Sequence, residues 1–214
     1  MKKILLSVIF VCFGFFLHAQ YKQQLDSFAT IDFPFRPSAR DTAFFKIYSC
    51  KKDYVVYNVF IADLTQKNIK FNVRDELDDF YKGYIKGIVG KKGMLLSQRF
   101  FEIDGLRGVN IEWKNDAQSA FTGRKFYKIF FANNTIITAG YWAEPESKDT
   151  SGEEGKHFLE SFKLTKKPAQ LQPNTVSELE SGTAFKLGQI FGYILMMGVL
   201  VWLVVKGIKL VTRK

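Results

Sequence analysis

The chain has 214 residues, of which 47% are hydrophobic and 16% aromatic, enough apolar material for one domain with its own core. Its formal charge of +10 is concentrated towards the two ends, because residues 20–167 carry 24 basic and 19 acidic residues, a difference of +5. This mild excess excludes the dense basic footprint of a nucleic-acid-binding domain. It leaves a surface suited to protein partners or anionic lipid headgroups.

The first nineteen residues have the pattern of a secretory signal peptide. Two lysines precede a run of apolar residues that ends near Ala19, and the run is too short to span a bilayer comfortably. Removal after Ala19 would take Cys12 with it and leave Cys50 as the single cysteine. The mature chain therefore has no intramolecular disulfide, and Cys50 is interpreted as a small apolar strand residue.

Alternation of apolar and polar residues predicts strands through most of the following region. The predicted strands cover residues 44–50, 53–62, 94–103, 107–114, 121–131 and 135–142. Asp104-Gly105 is a strong hairpin turn signal, and Asn133-Asn134 marks a second hairpin. The first pair of strands also reads as a hairpin, so the pattern indicates an antiparallel sheet.

Two helices interrupt the strands. The first has apolar residues at i, i+3, i+4 and i+7, namely Leu77, Phe80, Tyr81, Tyr84, Ile85 and Ile88. The second covers about residues 152–163 and has Phe158, Leu159 and Phe162 as its buried stripe. The order of elements predicts an α+β domain over residues 20–167, in which helices pack on an antiparallel sheet.

The C-terminal part divides into three segments by composition. Residues 168–184 are polar and contain proline, which is typical of a tether, whereas residues 185–205 carry one charge, Lys186, and are predicted to form a transmembrane helix. Residues 206–214 contain four basic and no acidic residues, so the positive-inside rule predicts a cytoplasmic tail. The resulting localisation is a single-pass protein of the bacterial inner (cytoplasmic) membrane with its folded domain in the periplasm.

Three short passages resemble the PsbP-like fold. They are the sequence IDFP at residues 31–34, the helix and strand around residues 79–81 and Ser97, and the closing sequence HFLESFKL at residues 157–164. The resemblance covers residues 28–164 and implies an α/β/α sandwich around an antiparallel sheet. Its known members include a photosystem II extrinsic subunit, a Ran-binding factor and bacterial envelope lipoproteins, and most bind partners rather than catalyse. No binding residue of the family transfers to a position of this sequence.

The residue types that support catalysis are sparse. The mature chain keeps one histidine, His157, beside the core residue Phe158 of the second predicted helix, and Ser97 has no nucleophile-elbow context. The sequence therefore predicts neither an enzyme nor a cofactor. Two acidic groups have the oxygen ligands that calcium prefers, although neither has EF-hand spacing. They are Asp75, Glu76, Asp78 and Asp79 at the start of the first helix, and Glu144, Glu146, Asp149, Glu153 and Glu154 around residues 144–154.

Three glycines lie within the first helix pattern, each costing about 1 kcal/mol relative to alanine in a helix interior. Gly83, Gly87 and Gly90 form a stripe beside the apolar face. This pattern indicates close approach by a partner or ligand along the stripe, packing of a neighbouring loop there, or simply a weak helix. Alanine at positions 83 and 87 should raise stability if the stripe is exposed and lower it if the stripe is tightly packed.

The sequence favours an extracytoplasmic binding or accessory protein that is anchored in the membrane and contacts another envelope or membrane protein. The contact surface would be an exposed apolar or basic face of the sheet. The alternative is a carboxylate-based envelope hydrolase or ligand sensor that depends on calcium. The oligomeric state does not follow from the sequence.

Overall fold

The computed structural model describes residues 20–42, 45–64, 74–115, 123–144, 153–165 and 182–211, with only the backbone helix described for residues 182 and 199–211. The ten strands are β1 (Tyr21–Asp26), β2 (Ala29–Phe33), β3 (Ser38–Asp41), β4 (Lys46–Lys52), β5 (Val55–Asp63), β6 (Gly93–Ile103), β7 (Leu106–Asn115), β8 (Arg124–Ala132), β9 (Thr135–Ala143) and β10 (Lys163–Leu164). The helices are α1 (Arg74–Val89), α2 (Glu153–Glu160) and α3 (Gly182–Val211).

Seven strands form the main sheet in the order β3-β4-β5-β9-β8-β7-β6, and a small sheet has the order β1-β2-β10. Every strand pair is antiparallel. The hairpin turns contain the positive φ angles that two-residue turns require, 51° at Asp104 and 79° at Gly105, and 49° and 57° at Asn133 and Asn134. The predicted antiparallel sheet and both sequence-marked hairpins are therefore observed.

The main sheet is covered on both faces, as a three-layer arrangement requires. Helices α1 and α3 pack on one face, where Phe80, Trp113 and Leu195 belong to the same buried cluster. The small sheet and α2 pack on the other face, where Phe33 and Phe158 are in ring contact at 5.2 Å between centroids. The alternating side chains of β4, β5, β7, β8 and β9 thus serve two separate cores.

Helix α1 is held to the sheet by its apolar stripe and by one buried hydroxyl. The six apolar residues predicted from periodicity are all buried. The Tyr81 hydroxyl donates to the carbonyl oxygen of Arg107 and accepts from the backbone N–H of Phe131, both at 2.9 Å. These two bonds fix α1 over β7 and β8. The helix ends at Gly90, whose φ of +63° is the left-handed conformation common after a helix.

The prediction of a transmembrane helix over residues 185–205 is wrong, and so is the single-pass inner-membrane localisation derived from it. Among the residues that the structure describes, no helix has the length and apolar character needed to cross a bilayer. Most of the described apolar side chains of α3 instead pack within the protein, whereas Ile190, Tyr193 and Met197 are 53%, 40% and 60% exposed. Ala184 and Leu195 are buried in the core under α1, and Leu187, Phe191 and Ile194 pack against it. An apolar run is required equally by a protein core and by lipid, so composition alone did not separate the two.

Other segment predictions fall wholly or partly outside the described residues. The signal peptide predicted at residues 1–19 lies completely outside the described residues. The predicted tether also lies outside them, except for residues 182–184, which form the first turn of α3. The basic tail at residues 206–214 coincides as far as residue 211 with the backbone helix of α3. Four strands that periodicity did not indicate are present: β1, β2, the short edge strand β3 and the two-residue β10.

Candidate protein-binding surface

The glycine stripe of α1 lies against another helix of the same chain. Gly83 and Gly87 face α3, where Gly188 and Gly192 have the same four-residue spacing. A Cβ atom added at Gly87 would lie 2.8 Å from the Cα of Gly192, and one added at Gly83 would overlap the carbonyl oxygen of Phe185. The two helices therefore run in the same direction with their backbones in contact, as small residues allow.

The third glycine of the stripe has a different role. Gly90 lies beyond the last turn of α1, and no atom is within 4 Å of the position that its Cβ would take. Its backbone N–H bonds to the carbonyl oxygen of Lys86 at 3.0 Å, which closes the helix. The structure thus brings Gly83 and Gly87 together under α3 and leaves Gly90 apart. Contact of these glycines with an external partner stays a prediction.

The largest group of exposed apolar side chains on the sheet lies at its β6 edge. Met94, Leu95 and Leu96 are 56%, 40% and 40% exposed. Strand β6 is the last strand of the main sheet, so β7 is its one neighbour in the part of the chain that the structure describes. The pairing register shifts between Leu95 and Ser97, which makes Leu96 the extra residue of a β-bulge. We call Met94, Leu95, Leu96 and Arg99 the β6 surface.

The β6 surface is attached to a rigid part of the fold. The Phe100 ring lies 6.4 Å from the Tyr81 ring between centroids and is tilted by 54° to it, and the Arg107 guanidinium lies 4.0 Å from the centre of the Phe100 ring. Arg107 is in turn fixed by Asp78 of α1 through an ion pair of 2.7 Å. On the other face, Phe101 stacks on Phe130 at 6.4 Å. The second half of β6 is therefore anchored on both faces of the sheet, which limits how far its first half can move.

Basic side chains surround the first half of β6. Lys91 and Lys92 precede it and are exposed, Lys114 pairs with Met94 in the register of β6 and β7, and Arg99 is exposed further along the strand. The four cations form no ion pair among the described residues. The neighbouring carboxylate of Glu112 is already engaged, since it accepts from the Arg124 Nε at 2.6 Å. This edge therefore presents a positive potential around an apolar centre.

A half-buried lysine continues the basic character along the outer side of the sheet. Lys128 lies opposite Asn110 in the register of β7 and β8, and its Nζ is 5.0 Å from the centre of the Phe101 ring. Burial lowers the pKa of Lys128, and the nearby carboxylate of Glu160 opposes that shift. The Oδ1 atom of Asn110 is buried and has no hydrogen-bond partner within the described residues. A polar row thus runs from Arg99 through Asn110 to Lys128.

A second lysine is buried on the helix-covered face. Lys125 Nζ lies 4.6 Å from the centre of the Trp113 ring, and burial lowers its pKa to about 8. Beside it, the Trp142 indole N–H donates to the Tyr127 hydroxyl at 2.7 Å. These groups are enclosed by the core and form no surface that a macromolecule could reach.

The reactive residue types that the sequence singled out are dispersed. His157 is exposed on α2, Ser97 is exposed on β6, and Cys50 is half-buried on β4, where burial raises the pKa of its thiol. No three of the described histidine, cysteine, aspartate and glutamate side chains are grouped so that they could hold a metal ion. The prediction that the chain is not an enzyme stays a prediction.

The acidic residues that are described mostly have other partners. Asp79 forms an ion pair with Lys82 at 2.6 Å, and Asp78 forms the ion pair with Arg107 described above. Glu154 accepts from the Tyr57 hydroxyl at 2.7 Å, a contact that, together with burial, raises the pKa of that hydroxyl. Residues 145–152 of the acidic segment around residues 144–154 lie outside the described residues, so calcium binding by this segment stays an alternative from the sequence.

The apolar residues of the β6 surface were missed as a functional signal. Met94, Leu95 and Leu96 are consecutive, and a regular strand sends alternate side chains to opposite faces. Three consecutive large apolar residues at an edge therefore cannot all enter one core. This break in the alternation of apolar and polar residues was the available sequence signal for an exposed apolar group. Without the strand order, however, the sequence did not show that the segment lies at an edge of the sheet.

No protein-family model matches the sequence, and the comparison with curated proteins finds no match. Among solved structures, the chain is similar to PsbP from the cyanobacterium Synechocystis sp. PCC 6803, with a TM-score of 0.48, 11% identity, and coverage of 68% of this chain and 91% of that one. It is also similar to a Pseudomonas aeruginosa protein of unknown function, with a TM-score of 0.38, 12% identity, and coverage of 65% of this chain and 95% of that one.

A third similar structure comes from Bacteroides thetaiotaomicron, with a TM-score of 0.33 and 9% identity, and the match covers 64% of this chain and 45% of that one. The resemblance to the PsbP-like fold that the sequence indicates is thus found in the structure as well. At these identities a likeness concerns the fold alone, and nothing about binding or activity follows from it.

Proposed function

We propose that this chain is a protein-binding module whose contact surface is the β6 surface. One observation carries the proposal: Met94, Leu95 and Leu96 are exposed together on the outermost strand of the main sheet. Contiguous apolar side chains with a polar rim are typical of protein interaction sites. In this case the rim is formed by basic residues.

The opposite edge of the sheet shows how this fold treats an edge that has no such role. Strand β3 is four residues long, Ser38–Asp41, and all four of its residues are exposed without a large apolar side chain among them. Short and polar strands are the usual protection of an edge against unwanted pairing. Strand β6 has eleven residues and three large apolar side chains at its edge. The contrast supports a contact role for β6.

The rigid attachment of β6 also favours binding. Its neighbour β7 pairs with it from Gly93 to Ile103, and the Phe100 and Phe101 rings anchor its second half. A surface that is already ordered pays less conformational entropy when a partner binds. The side chains of Leu95 and Leu96 are therefore positioned before the encounter.

Site-specific photo-crosslinking tests the proposal. A photoreactive phenylalanine analogue is placed at position 95 and, as the control, at Tyr54, which is 50% exposed in the turn between β4 and β5. We expect a discrete adduct from position 95 in cells of the source organism and none from position 54. The protein identified in the adduct should bind the purified full chain.

A variant then links that binding to the β6 surface. Leu95→Ser with Leu96→Ser should weaken the identified complex by at least tenfold, because two exposed apolar contacts are lost without a change in the core. The melting temperature should remain near that of the parent. Equal crosslinking from positions 54 and 95, or an unchanged Kd of the double variant, would refute the proposal.

A further inference from the structure

We propose that the β6 surface receives an extended acidic segment of its partner, which adds to the main sheet as an eighth strand beside β6. This inference rests on the proposed function and specifies the class of partner. It is carried by three features together: an unpaired strand edge, an apolar group at one end of it, and the basic residues around it.

The first feature is the backbone of β6. Beyond the bulge at Leu96, the pairing of β6 with β7 is regular from Ser97 to Ile103. Strand β6 has no second neighbouring strand in the described ranges, so its outward backbone groups are available to another strand. Peptides that add a strand to a sheet edge obtain affinity from such main-chain bonds and specificity from alternate side chains.

The second feature is the alternation of side chains along β6. Leu95 lies opposite Trp113 and so points to the face that carries the helices, whereas Met94 lies opposite Lys114 and points to the other face. A strand added beside β6 would therefore meet an apolar side chain on each face near residues 94–96. Arg99 follows on the same strand and faces the row of Asn110 and Lys128. An apolar residue and a carboxylate at nearby positions of the partner match this order.

The third feature is charge. Five exposed basic residues, namely Lys91, Lys92, Arg99, Lys114 and Arg124, lie just before β6 or on β6, β7 and β8. They stand against two carboxylates of these strands, Glu112, which pairs with Arg124, and Glu102 on β6 itself. Complementary charge increases the rate of encounter and excludes like-charged partners. A second copy of this chain presents the same positive edge, so pairing of β6 with itself is electrostatically unfavourable. An acidic segment is the occupant that this potential selects.

Defined peptides and the full chain test the inference. The probe is a fluorescein-labelled ten-residue peptide that alternates valine with glutamate, and its matched controls are a copy with lysine in place of glutamate and a copy with N-methyl groups on alternate amides. Binding is measured by fluorescence anisotropy at low and at physiological salt. Hydrogen exchange of the β6 amides reports strand addition directly.

We expect the acidic peptide to bind and to protect amides between Ser97 and Ile103 from exchange. The lysine copy and the N-methylated copy should bind at least tenfold more weakly, and added salt should weaken the acidic peptide. Arg99→Glu should also reduce its affinity by about tenfold. Arg40→Glu on the opposite edge strand β3 is the matched control and should leave the affinity unchanged, because Arg40 is exposed and remote from β6.

The outcomes separate this inference from the proposed function. If the lysine copy binds as well as the acidic one, the charge assignment is wrong. If the N-methylated copy binds equally well, or no peptide binds while the partner captured at position 95 still does, strand addition is wrong and the β6 surface remains a contact site for a folded partner. If position 95 captures nothing and no peptide binds, both proposals are wrong.

Discussion

Replacing Gly83 with alanine distinguishes the packed helix pair from an exposed helix. In an exposed helix the substitution would raise stability by about 1 kcal/mol, because glycine is the poorer helix former. In this structure the new methyl group would overlap the carbonyl oxygen of Phe185 and lie 2.9 Å from the backbone nitrogen of Gln189. Both obstacles are backbone atoms, so no side-chain rotation relieves the contact.

The size of the effect follows from the displacement that α3 must make. An ordinary Cβ contact is 3.4–4 Å long, so clearing the overlapping carbonyl oxygen of Phe185 requires a displacement of more than 1 Å. A gap of about 0.5–1 Å already forfeits a quarter to a half of the dispersion attraction along the helix pair. Overpacking of this kind costs about 1–3 kcal/mol. Because the contact is with backbone we expect the upper end of that range, so after the gain in helix propensity the net loss is about 1–2 kcal/mol. The melting temperature should fall by about 2–8 °C.

Thermal unfolding of the full chain, followed by circular dichroism, measures this change. The pair Lys82→Ala and Lys82→Gly gives the intrinsic cost of glycine at the adjacent exposed position of α1. Gly188→Ala should destabilise for the same reason as Gly83→Ala, and the double variant should lose less than the sum, since one movement of α3 relieves both contacts. A melting temperature that rises in Gly83→Ala would refute the packing described for α1 and α3.

Three further predictions concern other parts of the fold. Gly90→Ala should destabilise the fold by about 1 kcal/mol and Gly90→Asn by less, because asparagine tolerates the left-handed conformation at φ +63° better than alanine. Chemical denaturation of both variants measures the difference. Tyr81→Phe should cost about 2–4 kcal/mol in the same assay, because it leaves one buried backbone N–H and one buried carbonyl without their partner. The pKa of Lys125, lowered to about 8 by burial, predicts stability that rises with pH between 8 and 9.5, because the unfolded state then binds more protons than the folded state. The gain is about 1.5 kcal/mol and should be lost in Lys125→Met, which leaves only the rise due to Lys128, whose pKa burial also lowers.

Each of these predictions has a matched control. Gly105 is also in the left-handed region and faces open space, so Gly105→Asn and Gly105→Ala should follow the order of the Gly90 variants. Tyr54→Phe removes an exposed hydroxyl and should leave stability within about 0.5 kcal/mol of the parent. Lys114→Met should keep the rise with pH, and a rise that is undiminished in Lys125→Met would show that another group causes it.

Local patterns in the sequence predicted the elements that depend on local physics. The stripe that includes Leu77 and Ile88 is buried as the helical period requires, and Asp104-Gly105 forms the turn that its residues favour. Both features are set within a few residues of the chain. Strand order is different: β5 lies beside β9, so more than seventy residues separate Val55 from its partner Ala143. No periodicity in the sequence encodes such a pairing. The position of β6 at the edge of the sheet could therefore not be predicted from the sequence.

The glycines show which part of the helix pair could be predicted from the sequence and which part could not. The sequence left open whether a partner, a neighbouring loop or a weak helix explained Gly83 and Gly87. The structure places them against α3, where Gly188 and Gly192 have the same spacing. The two pairs were interpreted separately, the second as part of a bilayer helix. Matching spacing in two distant helices was the signal that would have joined them, because backbone contact between helices needs small residues on both sides.

The partnership of α1 with α3 has a consequence for how the protein is made. Gly188 packs against the backbone of Phe80, roughly a hundred positions earlier in the chain, a separation that slows folding. During translation α1 emerges with its glycine-lined side uncovered and stays so until α3 leaves the ribosome. Nascent chains should therefore need chaperone protection late in synthesis, and premature stop codons before α3 should yield aggregates rather than a smaller working protein.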